Sequence, residues 1–450
     1  MKKALTIAGV DSGGGAGIIA DIKTFSALGV WGTAVVTSVT AQNTQGVFAI
    51  QDISPDIIAA QIQAVISDIG VDAAKTGMLK TKETIRTVAR ELSGLDIPLV
   101  VDPVMVAQTG APLMDQDARE VLVKELFPMA TLVTPNIYEA EVLTGVKIKN
   151  VHDLKKAAVE IHEKYQPKAV IVKGGHLEGS EALDVLYYQG EFHYFKTPRV
   201  PTKNTHGSGC TFSAAITAEL AKGRSIVEAV KIAKQFMFIA IRYGPPVGKG
   251  RGPVNHMAWI YREAERYEAI RKVKVSLEEI EATSNINKLI PEVGMNIAYA
   301  LQYAVDQRDI VAVPGRIRST PKGPKACSCP DFGASQHLAS YLLVAREYDP
   351  NIRVAINIKF SDEILGKLKE LGLRISSYDR AKEPPEVKAK EGATIPWGTK
   401  QAIEACGGKV PDVIYHRGDV GKEPMIVILG EDIDEVVGIL KKLASSVSKA

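Results

Sequence analysis

Short apolar runs alternate with amphipathic stretches through the first half of the chain, and this alternation restricts the fold more than any other feature. Residues 5–8, 35–39, 99–101, 131–134 and 169–172 are rich in Val, Ile and Leu and read as buried strands. Between them, residues 16–28 place Ile18, Ile22 and Phe25 on one helical face, and Gly29 stops the helix. Apolar strands joined by helices predict an α/β fold, a mostly parallel sheet with helices on both faces. Ligands of such sheets bind at the carboxyl ends of the strands.

A chain of 450 residues is too long for one ordinary core, so two domains are expected. The stretch Gly244-Pro245-Pro246 to Gly252-Pro253 closes the first, and a charged helical segment over residues 259–274 follows. The expected domains are residues 1–260 and 275–450. In the second, a long helical pattern spans about 277–303, and residues 310–313, 354–358, 413–415 and 425–429 read as strands.

With 46% hydrophobic and 24% charged residues the composition is that of a packed globular protein. A net charge of +3 gives no reason to expect a nucleic-acid partner, and no apolar run reaches the ~18 residues that would span a membrane. Met1-Lys2-Lys3 and the apolar residues behind it are superficially like a secretory signal, but Asp11 and the following glycines favour a first strand. The four cysteines form no disulfide framework for this length, and Cys327-Ser328-Cys329 lacks the C-x-x-C spacing of structural zinc. A reducing, cytoplasmic setting is expected.

Several glycine motifs lead nowhere. No P-loop is present, and Asp331-Phe332-Gly333 has no H-R-D loop before it. Gly15-x-Gly17-x-x-Ala20 follows a strand, yet no acidic residue stands where a dinucleotide ribose would need one. The informative loop is Asn204-Thr205-His206-Gly207-Ser208-Gly209-Cys210, because Phe212, Ile216 and Leu220 continue it as a helix. Gly207, Ser208 and Gly209 then offer backbone N–H groups at a helix N-terminus, an anion hole for a phosphoryl group in transit. Cys210 falls in the first turn, where the helix dipole is expected to lower its pKa. A glycine-rich helix start is also an ordinary tight turn.

Other strand ends favour the phosphoryl reading. Asp102 follows one strand, Asn136-x-x-Glu139 another, and Lys173 ends a third. Asp102 and Glu139 are hard oxygen ligands suited to Mg²⁺ and its waters, and Asn136 and Lys173 suit nucleotide phosphates. Gln42 offers an amide edge matched to an aminopyrimidine. Asp21 is placed to accept from the same amino group or from the hydroxyl, and Met78 supplies an apolar wall, although a Met there is also ordinary core. Gly9 is counted in the same substrate-binding set.

Asp11-Ser12-Gly13-Gly14-Gly15-Ala16-Gly17, Ala41-Gln42-Asn43-Thr44, Lys75-Thr76-Gly77-Met78, Asp102-Pro103-Val104-Met105, Thr134-Pro135-Asn136, Lys173-Gly174-Gly175-His176 and the 204–210 loop together resemble the hydroxymethylpyrimidine/phosphomethylpyrimidine kinases of thiamine synthesis. The resemblance implies a ribokinase-like fold and two ATP-dependent phosphorylations of 4-amino-5-hydroxymethyl-2-methylpyrimidine. It assigns Gln42 to the pyrimidine and puts Cys210 where the wider fold usually carries an Asp base. Ser208 stands for a frequent Thr. A homo-oligomer is implied, and side activity on pyridoxal stays open.

Residues 275–450 resemble the archaeal-type thiamine-phosphate synthase domain through Val313-Pro314-Gly315-Arg316-Ile317, the run Asp331 to Ala339 and Ala355-Ile356-Asn357-Ile358-Lys359. The resemblance implies a second α/β layer domain of class-II-aldolase type that joins the pyrimidine diphosphate to a thiazole phosphate. Arg316 and His337 match its catalytic positions, and Arg318 and Lys359 are further candidates. The alternative is a kinase whose second domain senses thiamine phosphate or serves assembly.

Overall fold

The computed structural model describes residues 1–107, 110–419 and 421–446. They form two compact units, Met1–Ile260 and Tyr261–Ala450.

The first unit is built on β1 (Lys3–Asp11), β2 (Trp31–Asn43), β3 (Gly46–Asp52), β4 (Ala73–Thr76), β5 (Leu99–Val101), β6 (Leu132–Val133), β7 (Ala169–Lys173), β8 (Glu181–Tyr188) and β9 (Glu191–Pro198). The sheet order is β3-β2-β1-β4-β5-β6-β7-β8-β9. Strands β2, β1, β4, β5, β6 and β7 are parallel, and β3, β8 and β9 add antiparallel edges. Successive side chains enter opposite cores, as strand pleating requires. Leu5, Ile7, Val101, Val170 and Val172 pack on one face, while Ala4, Val100, Ala169 and Ile171 pack on the other. The first helix runs Gly17–Ala27, and Gly29 beyond it has a φ of 71°, which suits a residue with no Cβ.

The second unit holds β10 (Asn296–Ala300), β11 (Ile310–Ala312), β12 (Ile317–Thr320), β13 (Gly323–Ala326), β14 (Asp331–Phe332), β15 (Val354–Lys359), β16 (Ile375–Ser377), β17 (Val413–His416) and β18 (Met425–Gly430). Seven of these make a mixed sheet in the order β14-β11-β10-β15-β18-β17-β16, and β12 and β13 form a hairpin. The helical pattern expected over 277–303 is corrected here. A helix over Arg266–Ala282 ends before Asn285, which adopts φ 66°, and residues 296–300 are a fully buried strand instead. A continuous apolar run fits a buried strand as well as a helix, and length decides between them. The helix belongs to the second unit's core through Ala269, Val273, Leu277 and Ile280.

Among the described residues no helix is long and apolar enough to cross a membrane.

Candidate active sites

Parallel pairing brings the carboxyl ends of β1, β2, β4, β5, β6 and β7 to one edge of the first sheet. Asp11, Gln42, Met78, Asp102, Asn136 and Lys173 lie at or just beyond those ends. The 204–210 loop joins them by opening the helix Ser208–Ala221. Gly207, its N-cap, has a φ of 78°, and a Cβ there would stand 1.7 Å from the Gly15 carbonyl oxygen. Only glycine lets the two glycine loops touch. Asp11 fastens the other loop: its carboxylate accepts from the N–H groups of Gly13 (2.8 Å), Gly15 (3.1 Å) and Ala16 (2.8 Å) and from His206 Nε2 (2.9 Å). Burial opposes its charge, but the bonds from His206 and the loop outweigh that and lower its pKa.

The N–H groups of Gly209 and Cys210 make no hydrogen bond among the described residues, whereas that of Ser208 turns onto the Thr205 carbonyl at 3.2 Å. The hole is therefore displaced slightly along the helix from the expected Gly207, Ser208 and Gly209. A Cβ on Gly209 would lie 3.6 Å from Lys173 Nζ and 3.7 Å from Asp102 Oδ2, so loop, cation and carboxylate are neighbours. Asp102 is buried and accepts from Lys173 Nζ (3.2 Å), Thr134 Oγ1 (3.1 Å) and Ser213 Oγ (3.3 Å). Asn136 and Glu139 form a reciprocal capping box on the helix Ile137–Thr144. Burial pushes Glu139 up to about 7, with Lys173 opposing and Asp102 reinforcing the shift. Among the described residues no three His, Cys, Asp or Glu side chains gather to enclose a metal. Two buried carboxylates beside a phosphate hole still fit a hard cation whose other ligands come from phosphate and water.

Two expectations change. Asp21 does not face an incoming substrate: it has no exposed surface, and its oxygens are taken by Lys75 Nζ (2.9 Å each) and by Thr6 Oγ1 (2.6 Å). The expected lowering of the Cys210 pKa does not appear. Burial pushes it up to about 11, Lys75 lowers it only in part, and Asp21 and Asp102 add to the rise.

On the substrate side, Gln42 is half-buried, with its Nε2 3.4 Å from His206 Nε2. That imidazole nitrogen donates to Asp11, so it cannot accept, and the Gln42 amide keeps its donors. A Cβ on Gly9 would stand 2.8 Å from Ser38 Oγ and 3.2 Å from Met78 Sδ, so Gly9 makes room for Met78. Sequence reasoning missed the roles of Asp11, Lys75 and His206. Each sat inside a quoted motif, and a lysine within an otherwise apolar strand was the available signal for Lys75.

The second sheet gathers another set. Its register pairs Asn296 with Asn357, Lys359 with Met425, and His416 with Met425. The start of β10, the ends of β15 and β17 and the start of β18 thus share one edge. β11 is antiparallel to β10, so the segment Val313 to Arg316 leaves there too, and β16, parallel to β17, delivers Tyr378 and Arg380. Arg316 has φ 72° and donates from Nη1 to the Val293 carbonyl at 2.9 Å; Arg318 donates from Nη1 to the Glu292 backbone carbonyl at 3.4 Å. Lys359 is exposed at the same edge. His337 opens the helix Gln336–Tyr348 at an exposed position; desolvation by the surrounding protein lowers its pKa first, then the charges of Arg316, Arg380 and Lys422. His416 accepts on Nδ1 from the Gly418 N–H at 3.2 Å, and burial, with Arg380 and His337, brings it to about 4. Arg380, His416 and Lys422 were not foreseen, because each is a single residue in an unremarkable segment.

Residues 11–255 match the family described as phosphomethylpyrimidine kinase. The chain belongs to this family. Behind this kinase domain, residues 272–442 match thiamine-phosphate synthase ThiN. The kinase part is similar to the thiamine biosynthesis bifunctional protein ThiED of Geobacter sulfurreducens, 50% identical over 254 residues, 56% of this chain and 52% of that one. The chain thus spans about half the length of that relative. A hydroxymethylpyrimidine/phosphomethylpyrimidine kinase of Rhizobium meliloti is 48% identical over 56% of this chain and 96% of its own. Among solved structures, the ADP complex of Bacillus subtilis pyridoxal kinase has a TM-score of 0.54 at 40% identity, covering 57% of this chain and 98% of that one. The Staphylococcus aureus pyridoxal kinase with AMP-PCP and pyridoxal has a TM-score of 0.52 at 38% identity, covering 57% and 94%. These likenesses place the kinase domain in the ribokinase-like fold, followed by a second α/β domain.

Proposed function

We propose that the first domain phosphorylates 4-amino-5-hydroxymethyl-2-methylpyrimidine twice with ATP, and that the second joins the resulting diphosphate to a thiazole phosphate, forming thiamine phosphate and pyrophosphate. The observation that carries the kinase half is the approach of the Gly209 backbone to Lys173 and Asp102 at the strand ends. Transfer of a phosphoryl group spreads negative charge over its outer oxygens, and catalysis is mostly positioning and charge stabilisation. The N–H groups of Gly209 and Cys210 and the Lys173 ammonium would face that charge. The substrate hydroxyl would approach past Cys210, with Gln42 reading the aminopyrimidine edge and Met78 packing on the ring. A thiol that rests protonated is no standing base, so Cys210 would pass its own proton to a transferring phosphate oxygen as it takes the proton of the substrate hydroxyl. Mg²⁺, held by Asp102 and Glu139 through water, would neutralise the nucleotide phosphates. Asn136 is assigned to the same nucleotide side.

In the second domain the bond from the pyrimidine methylene carbon to the pyrophosphate oxygen breaks, pyrophosphate departs with the bonding electrons, and the thiazole nitrogen forms the new C–N bond. Arg316 and His337 are assigned to the departing charge, Arg316 through its forked donors. The likeness to pyridoxal kinases favours pyridoxal as a second alcohol for the kinase site. All four cysteines are free, which suits a reducing cytoplasm, and the family resemblance supports a homo-oligomer.

Separation of the activities tests this reading. Cys210→Ala should abolish both phosphorylations and leave coupling of supplied diphosphate intact, and His337→Ala should do the reverse. Loss of both activities in both folded variants would sink the two-site scheme.

A further inference from the structure

We propose that Arg380 is a further cation of the synthase site, beside Arg316 and His337, and binds a phosphate group carried by one of its two substrates. This rests on the synthase reading of the second domain and names a residue that the resemblance did not supply.

Topology brings Arg380 there. It lies three residues beyond β16, whose parallel partner β17 ends in His416 at the same sheet edge. The Tyr378 N–H donates to the Tyr415 carbonyl at 3.3 Å, which ties the two strand exits together. The Tyr378 ring lies 5.2 Å from the His416 ring, and its hydroxyl is 2.9 Å from that of Tyr341, so the segment leading to Arg380 is fixed from two sides. A Cβ on Gly398, in the helix Thr394–Ala405, would come within 2.4 Å of the Tyr378 ring, so the ring is seated against that helix's backbone.

Arg380 itself is left without a counter-ion. Its Nε is buried and makes no hydrogen bond, and no ion pair to it occurs among the described residues. Glu383, three residues on, is buried with its Oε1 equally unpartnered, yet the two do not pair. A buried guanidinium atom without a partner carries a desolvation cost that an anionic ligand removes. Glu383 is the carboxylate at hand, and both it and Arg380 act on Tyr378, but it forms no ion pair with Arg380. The imidazoles of His337 and His416 both feel the Arg380 charge, which lowers their pKa values. Arg316 and Lys422 act on the same His337, so three positive groups lie within electrostatic reach of it. Arginine suits it, since its fork matches two phosphate oxygens at once.

The test is steady-state coupling by the full-length protein and by Arg380→Gln and Arg380→Lys, with melting curves to establish that each folds. Loss of a charged hydrogen bond to phosphate should raise KM about 10- to 100-fold, with a smaller fall in kcat. A rise confined to the pyrimidine diphosphate assigns Arg380 to that group, and one confined to the thiazole phosphate assigns it to the other. Arg380→Lys should recover part of the loss. Calorimetric binding of inorganic pyrophosphate, without ATP, should weaken by a similar factor in Arg380→Gln. If both KM values and pyrophosphate binding match the wild type, the Arg380 assignment fails. If the wild type forms no thiamine phosphate but pyrophosphate binding still weakens in the variant, the anion site stands and the synthase reading fails.

Discussion

Lys75 Nζ lies 2.9 Å from each carboxylate oxygen of Asp21, and neither side chain has any exposed surface. The pair sits beneath the kinase site, where burial opposes the lysine's charge but Asp21, Cys210 and Asp102 raise its pKa and keep it protonated. Removing one partner strands a charge in the interior, at a cost of about 3–5 kcal/mol. Lys75→Met should therefore lower the denaturant midpoint of the kinase unit sharply. The double variant Lys75→Met, Asp21→Leu should recover most of the loss, because a buried ion pair and an apolar pair of similar volume are close in stability. Equal losses in the single and double variants would show that the pair contributes by packing alone.

Gly207→Ala should disable phosphorylation while coupling persists. An alanine Cβ would collide with the Gly15 carbonyl at 1.7 Å, and the φ of 78° costs a non-glycine residue a further ~1–2 kcal/mol. The loop must then leave the Asp11-bound segment, carrying the Gly209 and Cys210 N–H groups out of line. The check is kcat with ATP held saturating, and an unchanged value would mean that the loop contact is dispensable.

Cys210 gives a prediction at alkaline pH. Its thiol is held near 11 in the folded chain against an ordinary 9.0, so from about pH 9 upward the unfolded chain releases this proton first. The folded state then binds more protons than the unfolded one, and stability falls as pH rises from about 9 to 11. Cys210→Ala should flatten that part of the stability curve. Alkylation of Cys210 in the native protein should keep accelerating past pH 9; a plateau near neutral pH would show a standing thiolate.

The opposite sign holds for two histidines. His256, 2.9 Å from Thr211 Oγ1, and His416 are both brought to about 4 by burial, below the ordinary 6.5. The unfolded chain takes up protons there first, so stability is present above pH 6.5 and is lost as pH falls through about 4. His256→Gln should reduce the acid sensitivity of the kinase unit, and His416→Gln that of the second unit. Melting curves from pH 7 to 4 would show it, and unchanged slopes would mean that other groups govern acid unfolding.

The sequence made the parallel sheet legible because its central strands are buried on both faces and so read as unbroken apolar runs. The run at 99–101 coincides with β5, and that at 169–172 falls one residue short of β7. β4 carries no such signal, since four residues that include Lys75 give no run to count. The β8–β9 hairpin turns through Gln189 (φ 51°) and Gly190 (φ 80°), a weaker signal than Asn-Gly. For the kinase site, residue types at strand ends pointed to Asp102, Asn136, Glu139 and Lys173, but no pattern reveals that Asp21 is sealed by a lysine 54 positions away. Arg380 and His416 become neighbours only through the parallel pairing of β16 and β17, which hydropathy does not encode.

The central claim is that one chain holds two independent catalytic centres, and coupling in the absence of ATP tests it most directly. The purified full-length protein would be given pyrimidine diphosphate, thiazole phosphate and Mg²⁺ with no nucleotide. The expected result is thiamine phosphate and pyrophosphate in equal amounts, undiminished in Cys210→Ala. No thiamine phosphate from a protein that still phosphorylates the free pyrimidine would contradict the account and leave the second domain a sensing or assembly module.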